Sequence, residues 1–120
     1  VVDIKSLDAL VPEWLTVPDL ADELGTDAAQ VRRMVEVREI VGVKRTERNI
    51  FSVPAAFIAG GAVVKNLKGT LTVLSDSGLT DAESIEWLFT DDDSLPGTPI
   101  DALRRGVKTE IRRRAQALAL

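Results

Sequence analysis

Residues 16–53, TVPDLADELGTDAAQVRRMVEVREIVGVKRTERNIFSV, decide how this chain is read. Thr16 is a good N-cap, Pro18 suits a first helical turn, and Leu20, Ala21 and Leu24 then fall on one side of a helix. Gly25 supplies a left-handed stop. Thr26 is expected to cap a second helix reaching about Arg38, with Ala28, Val31 and Val35 recurring on its inner face. Gln30, Arg33 and Val37 then face outward, with Arg32 flanking them.

Beyond that helix, Ile40, Val41 and Val43 form one β-branched run and Ile50, Phe51 and Val53 another, separated by the polar segment Lys44 to Asn49. This order of helix, tight turn, helix and basic hairpin spells a winged helix-turn-helix. The turn built on Gly25 and Thr26 has the spacing such a motif needs to lay its second helix in a DNA major groove. The expected DNA-facing set follows from that placement. Gln30, Arg32 and Arg33 reach base edges or phosphates, Thr26 donates to a phosphate at the helix N-terminus, and Lys44, Arg45 and Arg48 lie on phosphates or in a minor groove.

Charge tests this reading. The 120-residue chain carries a net charge of −4, unfavourable for a nucleic-acid binder, yet the charge is unevenly spread. Residues 1–29 hold one Lys and seven acids, whereas 30–53 hold six Lys or Arg and three acids, a local +3. Residues 54–99 return to −5, and 100–120 reach +4. Affinity for nucleic acid depends on phosphates neutralised locally, so the basic segment permits binding and the acidic remainder weakens it.

Composition excludes other classes. A hydrophobic content of 45% is ample for a folded core, and with no Cys there are no disulfides or thiolate metal sites. With no His, the commonest metal ligand and the usual general base are both missing. No Gly-rich phosphate loop follows a strand, which leaves only carboxylate chemistry at Asp91 to Asp93; no enzyme and no cofactor are expected. No apolar run approaches the roughly 20 residues of a membrane span, so a cytoplasmic, nucleoid-associated location is expected. The sequence starts at Val1 rather than Met, and a natural tail before it is expected.

In the second half, Pro54 ends the hairpin, Ala55 to Ile58 make a short helical turn, and Gly60-Gly61 reads as a hinge. A helix from about Lys68 carries Leu71, Val73 and Leu74 and stops at Ser77-Gly78. Thr80 and Glu83 form a capping box for the next, which carries Ile85, Trp87, Leu88 and Phe89. Those last three are consecutive, so they must be enclosed on two sides or form an interface, the core being the favoured place. Asp91 to Asp93 lack the ligand spacing of an EF-hand and read as a solvated loop. Thr98, Pro99 and Asp101 open a further helix; past Gly106, Val107, Ile111, Ala115 and Leu118 continue as a long C-terminal helix. Its opposite face carries Lys108, Arg112 and Arg113, with Arg105 and Arg114 nearby, a candidate set of additional phosphate contacts.

The motifs at 63–95 (VVKNLKGTLTVLSDSGLTDAESIEWLFTDDDSL), 98–106 (TPIDALRRG) and 110–120 (EIRRRAQALAL), joined to TVPDLADELGTDAAQVRRM, resemble an actinobacterial family of winged-helix DNA-binding regulatory proteins with a small helical C-terminal domain. The resemblance spans nearly the whole chain. It implies a fold that is mostly α with a small β-hairpin wing, divided as residues 1–58 (winged helix-turn-helix) and 59–120 (helical C-terminal domain). It also implies double-stranded DNA as partner, a role in transcription regulation, and a Ser/Thr kinase acting on some members; a homodimer on paired half-sites is the further expectation. A second resemblance, of WLFTDDDSLPGTPIDALRRG at 87–106 to the toxin-binding domain of Xre/MbcA/ParS antitoxins, implies instead a protein partner for the C-terminal helices.

Overall fold

A computed structural model describes residues 2–119. Its elements run α1 (Ile4–Leu10), β1 (Trp14–Thr16), α2 (Val17–Leu24), α3 (Ala28–Glu36), β2 (Val43–Arg45) and β3 (Ile50–Pro54). A 3-10 turn (Ala55–Phe57) leads to β4 (Ile58–Ala59), β5 (Ala62–Val63), α4 (Leu67–Asp76), α5 (Asp81–Leu88), α6 (Pro99–Arg104) and α7 (Thr109–Ala117). The fold is mixed α/β, with more strand than one hairpin. β1 joins the hairpin in a three-stranded antiparallel sheet of order β1-β3-β2, and β4 and β5 make a second, two-stranded sheet.

Local chemistry starts and stops most helices where the sequence places it. At α2, Asp19 accepts from the Thr16 N–H and hydroxyl at 3.3 and 2.9 Å. Gly25, at φ 65°, ends that helix, with the Thr26 N–H returning to the Ala21 carbonyl. Thr80 with Glu83 forms the expected capping box, and Thr98, expected as a cap, forms a further one with Asp101.

Three expectations are corrected. Gly60-Gly61 is no hinge: at φ 61° and 77° the pair is the turn of the β4–β5 hairpin, a conformation that glycine adopts without steric cost. Ile40 and Val41 lie in the core but precede the strand, which begins at Val43. The last helix starts only at Thr109. Gly106 (φ 88°) ends α6, Val107 is 39% exposed, and only Ile111 and Ala115 of the expected stripe are buried, Leu118 being 43% exposed.

One apolar cluster runs from Leu7 of α1 through Val31 and Met34 of α3, Val53 of β3 and Phe57 to Leu71, Leu88 and Ile111. Phe57 and Phe89 meet with ring centroids 5.9 Å apart, joining the sheet end to α5. Leu88 is fully buried and Phe89 nearly so, while Trp87 is half-buried against the cluster. The three consecutive large side chains are thus enclosed mainly by the chain itself. Among the described residues, no helix is long and apolar enough to cross a membrane.

Candidate nucleic-acid interface

α3 begins one residue later than expected. Asp27, not Thr26, is its N-cap, its carboxylate accepting from the Gln30 N–H at 2.8 Å. The Thr26 N–H is already spent on Ala21, so at this position only the exposed hydroxyl is free to meet a phosphate. Competition between neighbouring cap residues explains the difference: Asp is at least as strong a cap as Thr, and Thr26 is drawn into the closing turn of α2.

On the outer face of α3, the Gln30 carboxamide oxygen accepts from Arg33 Nε and Nη2 at 3.1 and 2.7 Å. This arrangement holds the guanidinium and leaves its Nη1 and the Gln30 amide N–H groups as free donors. Arg32 is exposed and makes no ion pair among the described residues. With Val17, Val35, Glu36 and Phe51 it lines a shallow groove of about 340 Å³. Phe51 is the cross-strand partner of Lys44, and directly opposed residues of an antiparallel pair project from the same face. The exposed Lys44 therefore emerges on the side of the sheet that carries Phe51 and adjoins Arg32.

Arg45 leaves the opposite face. Its Nε and Nη2 donate to Asp8 Oδ1 of α1 at 3.0 and 2.7 Å, and its guanidinium lies 4.6 Å from the centre of the Trp14 ring. Its side chain is only 20% exposed. Lys44 and Arg45 were expected to act together, but the two-residue period of a strand separates them. The hairpin tip is held by Thr46 and Asn49, both left-handed at φ 68° and 55°; the Arg48 N–H donates to Thr46 Oγ1 at 3.2 Å. Arg48 is exposed at this tip, and like Lys44 it makes no ion pair among the described residues.

Arg38, which the sequence placed at the end of the helix, has another role. It takes the left-handed position after α3 at φ 59°, where the Glu39 N–H returns to the Met34 carbonyl, and its Nη2 reaches Asp81 at the start of α5 at 3.0 Å. A cation at one helix C-terminus thus meets an acid at another helix N-terminus, each favoured by the dipole beside it. The pair ties α3 to the helical half of the molecule.

The C-terminal cations divide into two groups. Arg113 and Arg114 are bound: Glu110 accepts from both, and Arg114 Nη1 also reaches Asp92 Oδ2 at 2.8 Å. The Arg113 guanidinium, with that of Arg114 beside it, lowers the Glu110 carboxyl to about 2. Asp92 is held below its ordinary range by hydrogen bonds from Ser94, with Arg114 adding to the effect. Asp92 thus closes this loop onto α7, and among the described residues no group of three or more acidic side chains is placed to hold a metal ion. Lys108 and Arg112 remain unpaired and line a separate cleft between α4 and α7.

Residues 64–119 match the family model described as the Rv2175c C-terminal domain of unknown function. The chain is 36% identical over 127 aligned residues to a Mycobacterium tuberculosis (strain ATCC 25618 / H37Rv) protein named DNA-binding protein Rv2175c, covering 93% of this chain and 86% of that relative. It also superposes on the NMR structure of Rv2175c with a TM-score of 0.81 and 34% identity, over 90% of this chain and 82% of the other. Similarity of that extent over both halves, in sequence and in backbone, places this chain in the Rv2175c family.

Proposed function

We propose that this chain binds double-stranded DNA as a transcription regulator, through a winged helix-turn-helix formed by α2, α3 and the β2–β3 hairpin. α3 enters the major groove, with Gln30, Arg32 and Arg33 toward base edges and the Thr26 hydroxyl near a phosphate. The hairpin is the wing, and Lys44 and Arg48 meet the backbone or the minor groove. Arg45 supports the wing from behind rather than touching DNA. The division of labour follows the sequence, with residues 1–58 making the contact and residues 59–120 bracing it through Arg38–Asp81 and Phe57–Phe89.

The observation that carries this reading is that Arg32 and Lys44 emerge on the Phe51 side of the sheet and Arg48 lies exposed at the hairpin tip, all three without an ion pair among the described residues. In a chain of net charge −4, none of these three cations is neutralised by an ion pair among the described residues. The name of the Mycobacterium tuberculosis relative supports the same partner. The test is selection of duplexes from a random pool by the full chain, followed by mobility shift. The expected outcome is a recurrent short site, and two such sites about one helical turn apart for a dimer. Recovery of no sequence above the unselected pool, together with no binding of any duplex at low salt, overturns the proposal.

The antitoxin-like alternative places a protein partner on the C-terminal helices or the Trp87 cluster; of that cluster, Leu88 and Phe89 lie inside the core and only Trp87 stays half-exposed.

A further inference from the structure

Between α4 and α7 lies a cleft of about 430 Å³ lined by Asn66, Lys108, Thr109, Arg112, Arg113 and Gln116. That volume is within the range of small-ligand sites. Every lining side chain is cationic or neutral and polar. Arg113 is already bound by Glu110, whereas Lys108 and Arg112 have no carboxylate partner among the described residues, although Arg114 on the same helix has two.

The Arg112 guanidinium is set against α4 by Gly69. A Cβ at position 69 would collide with Arg112 Nη2, so only glycine lets the guanidinium lie on the first turn of α4. Glycine within a helix is otherwise unfavourable. The two helices that meet here also differ from the other five. α1, α2, α3, α5 and α6 each begin at an Asp or Thr tied by a side-chain hydrogen bond across the N-terminus, while α4 begins at Asn66 and α7 at Lys108 with none. Their backbone donors add to a field already set by the cations.

We propose that the α4–α7 cleft is a binding site for a phosphate-bearing anion, with Arg112 and Lys108 as its charged contacts and Thr109 and Asn66 as neutral ones. Arginine matches the oxygen pair of a phosphoryl group, and lysine adds a point charge. The site stands apart from α3 and the hairpin, so it does not rest on the DNA reading. The phosphoryl group belongs either to a free anion of diphosphate or nucleotide size or to a DNA backbone.

The experiment titrates the full chain with sodium pyrophosphate at constant ionic strength, followed by amide and arginine Nε–H resonances, with sodium chloride as the matched control. The expected result is saturable shifts at Gly69, Thr109 and Arg112. Arg112→Gln or Lys108→Gln should weaken the affinity by about tenfold each, as loss of one charge-assisted contact does. Gly69→Ala, which moves only the far end of a flexible side chain, should keep the fold and weaken binding as well. Shifts that fail to saturate, that chloride reproduces, or that Arg112→Gln and Gly69→Ala both leave intact overturn the site. A duplex arm identifies the source. If the Lys108→Gln/Arg112→Gln pair lowers DNA affinity and its salt slope together with pyrophosphate binding, the phosphoryl group is the DNA backbone's. If only pyrophosphate binding is lost, it is a free anion's.

Discussion

Replacing Arg32, Lys44 and Arg48 together by Ala should flatten the salt dependence of DNA binding by a calculable amount. Each phosphate neutralised by a cation releases counterion and contributes about 0.9 to the slope of log affinity against log salt. Three exposed cations with no internal partner therefore contribute about 2.7. Over a fourfold rise in salt, from about 50 to about 200 mM, that amounts to roughly a 40-fold difference in how far affinity falls. Fluorescence anisotropy of a labelled duplex across that range measures the slope for the parent and the triple variant. Arg45→Ala is the internal control, because its guanidinium is spent on Asp8 and Trp14. It should leave the slope unchanged and lower stability by about 1 kcal/mol, the worth of one partly exposed cation–π contact and ion pair. An unchanged slope in the triple variant refutes the argument. So does an Arg45→Ala variant that loses slope while keeping its stability, because Lys44 and Arg45 would then share a face.

Other perturbations separate the remaining assignments. Asp27→Ala should cost about 1 kcal/mol in urea unfolding through loss of the α3 cap, whereas Thr26→Ala should change stability little; equal costs would restore Thr26 as the cap. Leu88→Ala should cost about 2–5 kcal/mol, a loss that near-normal urea unfolding would contradict, as expected for a fully buried leucine in a contiguous core. Glu110 is held at about 2 in the fold against an ordinary 4.5, so its contribution is fully present above 4.5 and is lost as pH falls through about 2. Acid titration followed by circular dichroism should show a loss of stability in that window that Glu110→Gln removes; an identical acid limb in the variant would show that the pair does not act on folding.

The parts legible in the sequence are those whose causes lie within a few residues of each other. The caps at Thr16, Thr80 and Thr98 and the glycine stop at Gly25 all act inside one helical turn, and each stands where the sequence puts it, while the Asp19 partner of Thr16 emerged from the structure. The β2–β3 hairpin and the basic character of residues 30–53 were equally local. The sequence misled where two local signals competed, as at Thr26 and Asp27, or where a helical period ran beyond the helix itself, as at Val107 and Leu118, which flank Thr109–Ala117.

What the sequence by itself determined was the order of the elements, most of their ends, and the segment in which positive charge collects. Tertiary structure decided which cations are free. Arg45 is held by Asp8, 37 residues away, and Arg38 by Asp81, 43 residues away, whereas Arg32, Lys44, Arg48, Lys108 and Arg112 find no acid within the described fold. The physical reason is range. A cap or a helical stripe is written in neighbouring residues, but an ion pair falls off with distance through space, and the partner of a side chain is known only once packing has brought distant segments together.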